Sequence, residues 1–281
     1  MYQNVIFKDK TDLLPLVLQQ FPDVNVLGAY EKPNISNPDD IRVLSVKFSK
    51  VGKTTFEKYK NLEWVVCRSH GVDMVNLDEC RARNIGVVAL SPTAVPCAEW
   101  VVSWINEARN VLIFGNGSIS REIQKRVSDY RVVDSKTSAE DIKLGIQWAN
   151  VIVSTIPLTE ATQSYFNSGF FQLIDKAVSF VSLSRGEVFD NDALIQFADS
   201  GKLKMGIFDM LSSDKRDVLT SKANVKYTEH IAWAHNQPVE KGKVGGYVNP
   251  QFAQDLKTMI DECLSGKVTH PYIARREAVW F

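Results

Sequence analysis

The alternation of short Val- and Ile-rich runs with amphipathic stretches constrains this chain more than any other feature of its sequence. Eleven runs read as strands: 4-NVIF, 24-VNVLG, 42-RVLSV, 63-EWVVC, 86-GVVAL, 111-VLIF, 131-RVVD, 151-VIVST, 178-VSFVSL, 205-MGIFD and 225-VKYT. They lack the strict alternation of a half-solvated sheet, as expected of strands covered on both faces. Helical patterns lie between them, at 11-TDLLPLVLQQF, 78-DECRARN, 98-AEWVVSWINEARN, 118-SISREIQKRVSDY, 138-SAEDIKLGIQWAN, 190-DNDALIQFADSG and 249-NPQFAQDLKTMIDECLSG. Strand and helix in turn predict βαβ units and parallel sheets. Eleven strands exceed one sheet of the usual size, and five precede residue 92 while six follow 110. The expected fold is therefore α/β, with two doubly wound parallel-sheet domains. One spans 94–249; the other comprises 1–93 and 250–281. A helix over roughly 94–109, with Pro96 in its first turn, stands between them. Two crossings make a hinge, whose closure would expel water from a cleft.

Charge and hydropathy exclude several classes of partner. The 33 basic and 33 acidic residues cancel, so no basic field advertises nucleic acid or a membrane surface. The longest apolar stretches, such as 149-ANVIVSTIPL and 100-WVVSWI, fall short of the ~18 residues that span a bilayer. Charge within MYQNVIFKDKTD argues against a signal peptide. Cys67, Cys80, Cys97 and Cys263 show neither a C-x-x-C pair nor a framework spacing, and read as reduced thiols of a cytoplasmic protein. His230 and His235 lack helical i,i+4 spacing and a nearby third ligand, so no metal site is expected.

The run 111-VLIF leads into Gly115-Asn116-Gly117-Ser118-Ile119-Ser120 and then an amphipathic stretch. This approximates the G-x-G-x-x-G fingerprint in its strand–turn–helix context. Gly115 would allow the tight turn, and Gly117 would let backbone N–H groups approach a pyrophosphate. The third glycine is replaced by Ser120, and a plain βα turn is the competing reading. Asp134 ends the next strand about twenty residues on, where an acid meets the adenosine ribose. A 2′-phosphate there would face a like charge at a cost of roughly 4 kcal/mol, for ~4 Å and an effective dielectric near 20. NAD is therefore expected over NADP, although Lys136 nearby could soften the repulsion.

Three further segments set polar residues just past strand C-termini, where open α/β sheets bind ligands. They are 182-SLSRGEVFDNDAL with Arg185, 205-MGIFDMLSSDKRDVL with Asp209 and Asp214, and 225-VKYTEHIAWAH with His230. Singly, each residue reads more readily as a surface turn or loop residue. In this order the chain resembles the D-2-hydroxyacid dehydrogenase family over about 60–235. The resemblance rests on the Gly115-to-Ser120 turn, Ile156-Pro157-Leu158-Thr159, Ser184-Arg185-Gly186, Asp209 followed by Asp214, and His230-Ile231-Ala232. Upstream, 68-RSHGVDMVNLDECRARNIGVVAL is similar to the family's substrate-domain motif, and Glu99 matches its acid on the interdomain helix.

The resemblance implies an NAD-binding Rossmann domain, a flavodoxin-like substrate domain and a 2-keto acid or D-2-hydroxy acid as substrate. It implies that His230 is the general acid/base, that the carboxylate of Asp214 pairs with it, and that Arg185 clamps the substrate. Ser69, His70 and Gly71 would meet the other end of the substrate carboxylate. Asn116, Ser118 and Ile119 would join the glycines around the cofactor. Thr155, Ile156, Pro157, Ser184 and Asp209 would line and orient its nicotinamide. The chain departs from the family at Asp214, where Glu is usual, and at Ser120. It also has a shortened segment before Val111, which leaves homodimerisation open. An NAD(H)-binding regulatory or scaffold protein on the same fold is the alternative; retention of both Arg185 and His230 favours the enzyme.

Overall fold

The computed structural model describes residues 2–8, 20–21, 24–27, 37–69, 71–90, 93–106, 108–236, 250–268 and 273–274. The chain divides into two units, one of Met1–Pro92 with Pro238–Trp280 and one of Thr93–Gln237.

In the first unit, β1 (Val5–Lys8), β2 (Asn25–Leu27), β3 (Val43–Val46), β4 (Trp64–Cys67) and β5 (Gly86–Ala89) form a parallel sheet. The two-residue strand β12 (Ile273–Ala274) adds antiparallel to β5, giving the order β12-β5-β4-β3-β1-β2. Successive side chains point to opposite faces, and both faces are apolar. Phe7, Val43, Trp64 and Val66 pack with Leu256, Met259 and Ile260 of the helix Pro250–Ser265 (α9). Ile6, Leu44, Val65 and Cys67 pack with Phe56 of α1 (Lys53–Lys58) and Cys80 of α2 (Leu77–Ala82).

The second unit opens with α3 (Ala94–Ile105). Six parallel strands follow: β6 (Val111–Phe114), β7 (Tyr130–Val133), β8 (Val151–Ser154), β9 (Val178–Ser182), β10 (Leu203–Phe208) and β11 (Val225–Tyr227). Their connections carry α4 (Ser118–Gln124), α5 (Ala139–Trp148), α6 (Ser168–Gln172), α7 (Asn191–Asp199) and α8 (Arg216–Thr220). The spatial order is β11-β10-β9-β8-β6-β7, so the winding reverses between β6 and β8. Ligands bind at such a switch point in open α/β sheets. Ile113, Val153, Val181 and Ile207 cover one face with Trp100 and Val101 of α3. Leu112, Phe114, Phe180 and Phe208 cover the other, among Phe166, Phe170 and Phe189. Phe166 stacks on Phe189 with ring centroids 5.0 Å apart and meets Phe114 edge-on at 5.5 Å. Such pairs add about 0.5–1.5 kcal/mol each beyond area burial.

The structure has the expected two parallel-sheet α/β architectures, the second of them Rossmann-like. Several details differ from the sequence reading. The helix expected to reach residue 109 ends at Ile105, because Asn106 turns into the left-handed region at φ 42°. The helix after Gly117 ends at Gln124 rather than near Asp129, and Arg126 folds back to donate to the Glu122 carbonyl and carboxylate at 2.7 Å. Strand β12 and the short helices α1, α6 and α8 were not expected. The helix expected over 11–21 lies almost wholly outside the described residues.

No helix among the described residues is long and apolar enough to cross a membrane. Cys67, Cys80, Cys97 and Cys263 are all buried. Burial pushes Cys67, Cys80 and Cys97 up to about 12, which keeps them protonated and unreactive near neutral pH.

Candidate active site in the second unit

Register lays the candidate residues out in a row. Val133, Phe114, Ser154, Ser182, Phe208 and Tyr227 are laterally paired across the six strands. The residues that follow them are Asp134, Gly115, Thr155, Leu183, Asp209 and Thr228. Five of these donate their backbone N–H to the neighbouring strand: Gly115 to Val133, Thr155 to Phe114, Leu183 to Ser154, Asp209 to Ser182 and Thr228 to Phe208. Every candidate from the cofactor turn to His230 leaves the same sheet edge within a few residues of that row.

At the switch point, Gly115 has φ 104°, and a Cβ there would lie 2.6 Å from Thr155 Oγ1. The turn therefore requires glycine at this position. At Gly117 a Cβ would meet nothing within 4 Å, so open space lies over the start of α4, and no side chain caps that helix. Ser120 is fully buried, and its hydroxyl accepts a hydrogen bond from Gln124 Nε2 at 3.0 Å. The replacement of the third glycine is thereby accommodated. Asp134 stands beside the turn, where its Oδ2 accepts from Asn116 Nδ2 at 3.3 Å and its Oδ1 accepts from the Lys136 N–H at 3.0 Å. The Lys136 N–H, with Asn116 and Thr137, holds the Asp134 carboxyl below its ordinary value against the effect of partial burial.

Downstream of Thr155, buried Thr162 donates to the Pro157 carbonyl at 2.6 Å and accepts from the Thr159 N–H at 2.7 Å. That fixes the turn after Ile156 and Pro157. Ser184 is buried, with its hydroxyl 2.7 Å from that of Ser154.

Arg185 precedes a single 3-10 turn, Gly186–Val188. Its segment is anchored on the aromatic core: Phe166 N–H donates to Val188, Asp190 N–H donates to Phe166, and Phe189 stacks on Phe166. A Cβ on Gly186 would lie 1.9 Å from the Ser212 nitrogen and 2.5 Å from the Leu211 carbonyl carbon. Two backbones meet here with no room for a side chain. The guanidinium of Arg185 donates from Nη1 to Met210 Sδ at 3.1 Å.

His230 is exposed, yet its backbone is tightly held. Its N–H donates to the Asp209 carbonyl at 2.7 Å, and its own carbonyl accepts from Trp233 Nε1 at 2.7 Å. Glu229 and His230 have φ 57° and 61°. Consecutive non-glycine residues in the left-handed region cost roughly 1–2 kcal/mol each. Buried Asp209 offsets that cost, because its Oδ1 accepts from Thr228 Oγ1 at 2.7 Å, Ile231 N–H at 2.9 Å and Ala232 N–H at 3.0 Å. Hydrogen bonds to a charged acceptor contribute about 1.5–3 kcal/mol each. Sequence reading placed Asp209 near the cofactor and missed this bracing, along with Thr228 and Met210. Trp233 packs against the core below α3.

Among the described residues no hydrogen bond or ion pair is found between His230 and the Asp214 carboxylate. Its loop is tied elsewhere. Asn191 Nδ2 donates to the Asp214 carbonyl at 3.2 Å and to Ser212 Oγ at 2.8 Å, Arg216 Nη2 donates to the Leu211 carbonyl at 2.9 Å, and Lys215 pairs with Asp192. The Asp214 side chain is exposed next to Lys215. Glu99 lies 3.8 Å from Arg126. In the first unit, Ser69 Oγ donates to the Gly71 carbonyl at 2.9 Å just past β4. His70 lies outside the described residues.

Comparison with known proteins adds a family. Residues 99–232 match the D-isomer specific 2-hydroxyacid dehydrogenase, NAD binding domain. D-3-phosphoglycerate dehydrogenase 2, chloroplastic, of Arabidopsis thaliana is 26% identical over 269 residues, covering 76% of this chain and 42% of that protein. The chain thus spans about two-fifths of the length of the chloroplastic relatives it matches. Among solved structures, a D-isomer specific 2-hydroxyacid dehydrogenase from Xanthobacter autotrophicus Py2, in complex with NADPH and MES, superposes with a TM-score of 0.77. It has 19% identity, and the match covers 98% of both chains. D-lactate dehydrogenase from Aquifex aeolicus, complexed with NAD and lactic acid, gives a TM-score of 0.70 at 16% identity, covering 94% of this chain and 96% of that one. Both likenesses are of fold.

Two stability predictions follow from the geometry. Gly186→Ala forces the 185–188 and 211–212 backbones apart and should destabilise the second unit by about 1–3 kcal/mol, read from urea unfolding. A wild-type midpoint in the variant would contradict the contact. Asp134 holds its proton less tightly folded than unfolded, so its stabilisation is complete above the ordinary carboxylate range near pH 4 and is lost as pH falls. Wild type should therefore lose more stability between pH 5 and pH 2 than Asp134→Asn, and parallel pH curves would refute this.

Proposed function

Because the chain belongs to the D-isomer specific 2-hydroxyacid dehydrogenase family, we propose that it is a nicotinamide-dependent oxidoreductase interconverting a 2-keto acid and a D-2-hydroxy acid. The observation that carries this reading is a shared dipeptide. Met210 takes the Arg185 guanidinium on its sulfur, and the preceding residue, Asp209, takes the His230 N–H on its carbonyl. A cation suited to a carboxylate, and the backbone of a residue whose imidazole suits proton transfer, are thus tied to one dipeptide at the sheet edge.

The glycine turn fits a dinucleotide. Space over Gly117, the uncapped start of α4 and an ionised Asp134 beside Asn116 match a pyrophosphate followed by a ribose diol. Gly115, Asn116, Gly117, Ser118 and Ile119 would hold the phosphates, and Asp134 would accept from the ribose hydroxyls. Asp134 would set a negative charge against the extra phosphate of NADP, which supports NAD as the cofactor. Thr155, Ile156, Pro157 and Ser184 would border the nicotinamide. Bound cofactor supplies the hydride or receives it.

The remaining chemistry belongs to side chains. Arg185 offers a planar fork of N–H donors to the substrate carboxylate and carbonyl oxygen, fixing the carbonyl's orientation and polarising it. His230 donates a proton to the carbonyl oxygen in reduction and removes it from the hydroxyl in oxidation. Imidazole suits both directions, since its ordinary pKa lies near 6.5. Glyoxylate and hydroxypyruvate fit this clamp, which recognises the carboxylate and carbonyl and leaves the tail unspecified. The 3-phosphoglycerate type of substrate fits it equally.

A panel of 2-keto acids assayed by loss of NADH absorbance tests the reading, with turnover of at least one member expected. His230→Ala should lower that rate at least about a hundredfold while NADH still binds; an unchanged rate would remove the proton role. Fluorescence titration should show NADH bound more tightly than NADPH, and equal affinities would contradict the part given to Asp134.

A further inference from the structure

We propose that Asp209 and Thr228 are positioning residues, whose bonds hold the backbone of His230 in the left-handed conformation that sets where its imidazole stands. This rests on the reading of His230 as the proton carrier and deepens it.

Four bonds converge on one residue. The Asp209 carbonyl takes the His230 N–H, and its Oδ1 takes Thr228 Oγ1, Ile231 N–H and Ala232 N–H. The donors lie before and after the pair with positive φ, Glu229 and His230, so the carboxylate closes the turn around the strained residues rather than beside them. Asp209 is itself immobile: it is buried, it follows β10, and its N–H is held by Ser182. Strain concentrated at a functional side chain persists only where surrounding bonds over-determine it. Among the described residues, Thr228 provides the one side-chain hydroxyl that donates to that oxygen. Its backbone N–H is already used by Phe208 in the sheet-edge ladder, so loss of the hydroxyl leaves the strand end in place and loosens only the turn.

The test compares full-length wild type, Thr228→Val and Thr228→Ser with glyoxylate and NADH, alongside the His230 ring-proton NMR signal, identified by its loss in His230→Gln. In Thr228→Val, kcat should fall about tenfold, a modest share of what misplacing a reacting group can cost. The glyoxylate KM and the NADH affinity should stay close to wild type, and the His230 signal should shift or broaden. Thr228→Ser should restore kcat and the signal. Thr228→Ala replaces Thr228→Val if valine is not accommodated. Unchanged kcat, or a loss confined to KM or NADH affinity, overturns the proposal. A wild-type chain inactive on every 2-keto acid overturns the hydride-transfer reading instead. The positioning role then stands or falls on the ring signal: a shift in Thr228→Val supports it, and an unmoved signal overturns it.

Discussion

Lateral registration of six parallel strands is the constraint on which the second unit depends. Each strand delivers its next residue to the same edge, and for all but Asp134 a backbone bond from that residue to the neighbouring strand leaves little freedom in where it stands. Parallel pairing needs crossovers on both faces, which is why the strands are apolar throughout and the chemistry is confined to their ends. Asp134, Gly115, Thr155, Asp209 and Thr228 are brought level by the same hydrogen bonds that make the sheet. Residues more than a hundred positions apart thereby share one rim.

Beyond that rim, different materials hold different groups. The segment carrying Arg185 hangs from stacked phenylalanines, through Phe189 and Phe166. The turn carrying His230 hangs from a buried carboxylate, Asp209. Between the two lies Met210, a polarizable thioether against a guanidinium. Aromatic packing gives a rigid base with little directional preference, whereas the carboxylate dictates the path of the backbone bond by bond. Each support matches what it carries: a long, jointed side chain in one case, and a short ring whose place is decided by φ and ψ in the other.

Much of this was legible in the sequence because burial on both faces selects Val and Ile runs, and all eleven runs became strands. The glycine turn was legible through Gly115, whose positive φ no other residue adopts easily. Strand β12 was not, since two residues pairing antiparallel with β5 leave no periodicity. The tethers of the Asp214 loop, Asn191 and the Lys215–Asp192 pair, were not legible, because spacing along a loop does not report them. The bracing by Asp209 was invisible for the opposite reason. Its donors are mostly backbone amides, which carry no residue signature.

The contact of Gly186 with Leu211 and Ser212 has a mechanical consequence. With no side chain between them to act as a cushion, the two backbones are in direct contact, and an insertion or deletion in either would be transmitted to the Arg185 segment. The meshed pair thereby acts as a fixed gauge for the distance between the sheet and the charge that Arg185 presents.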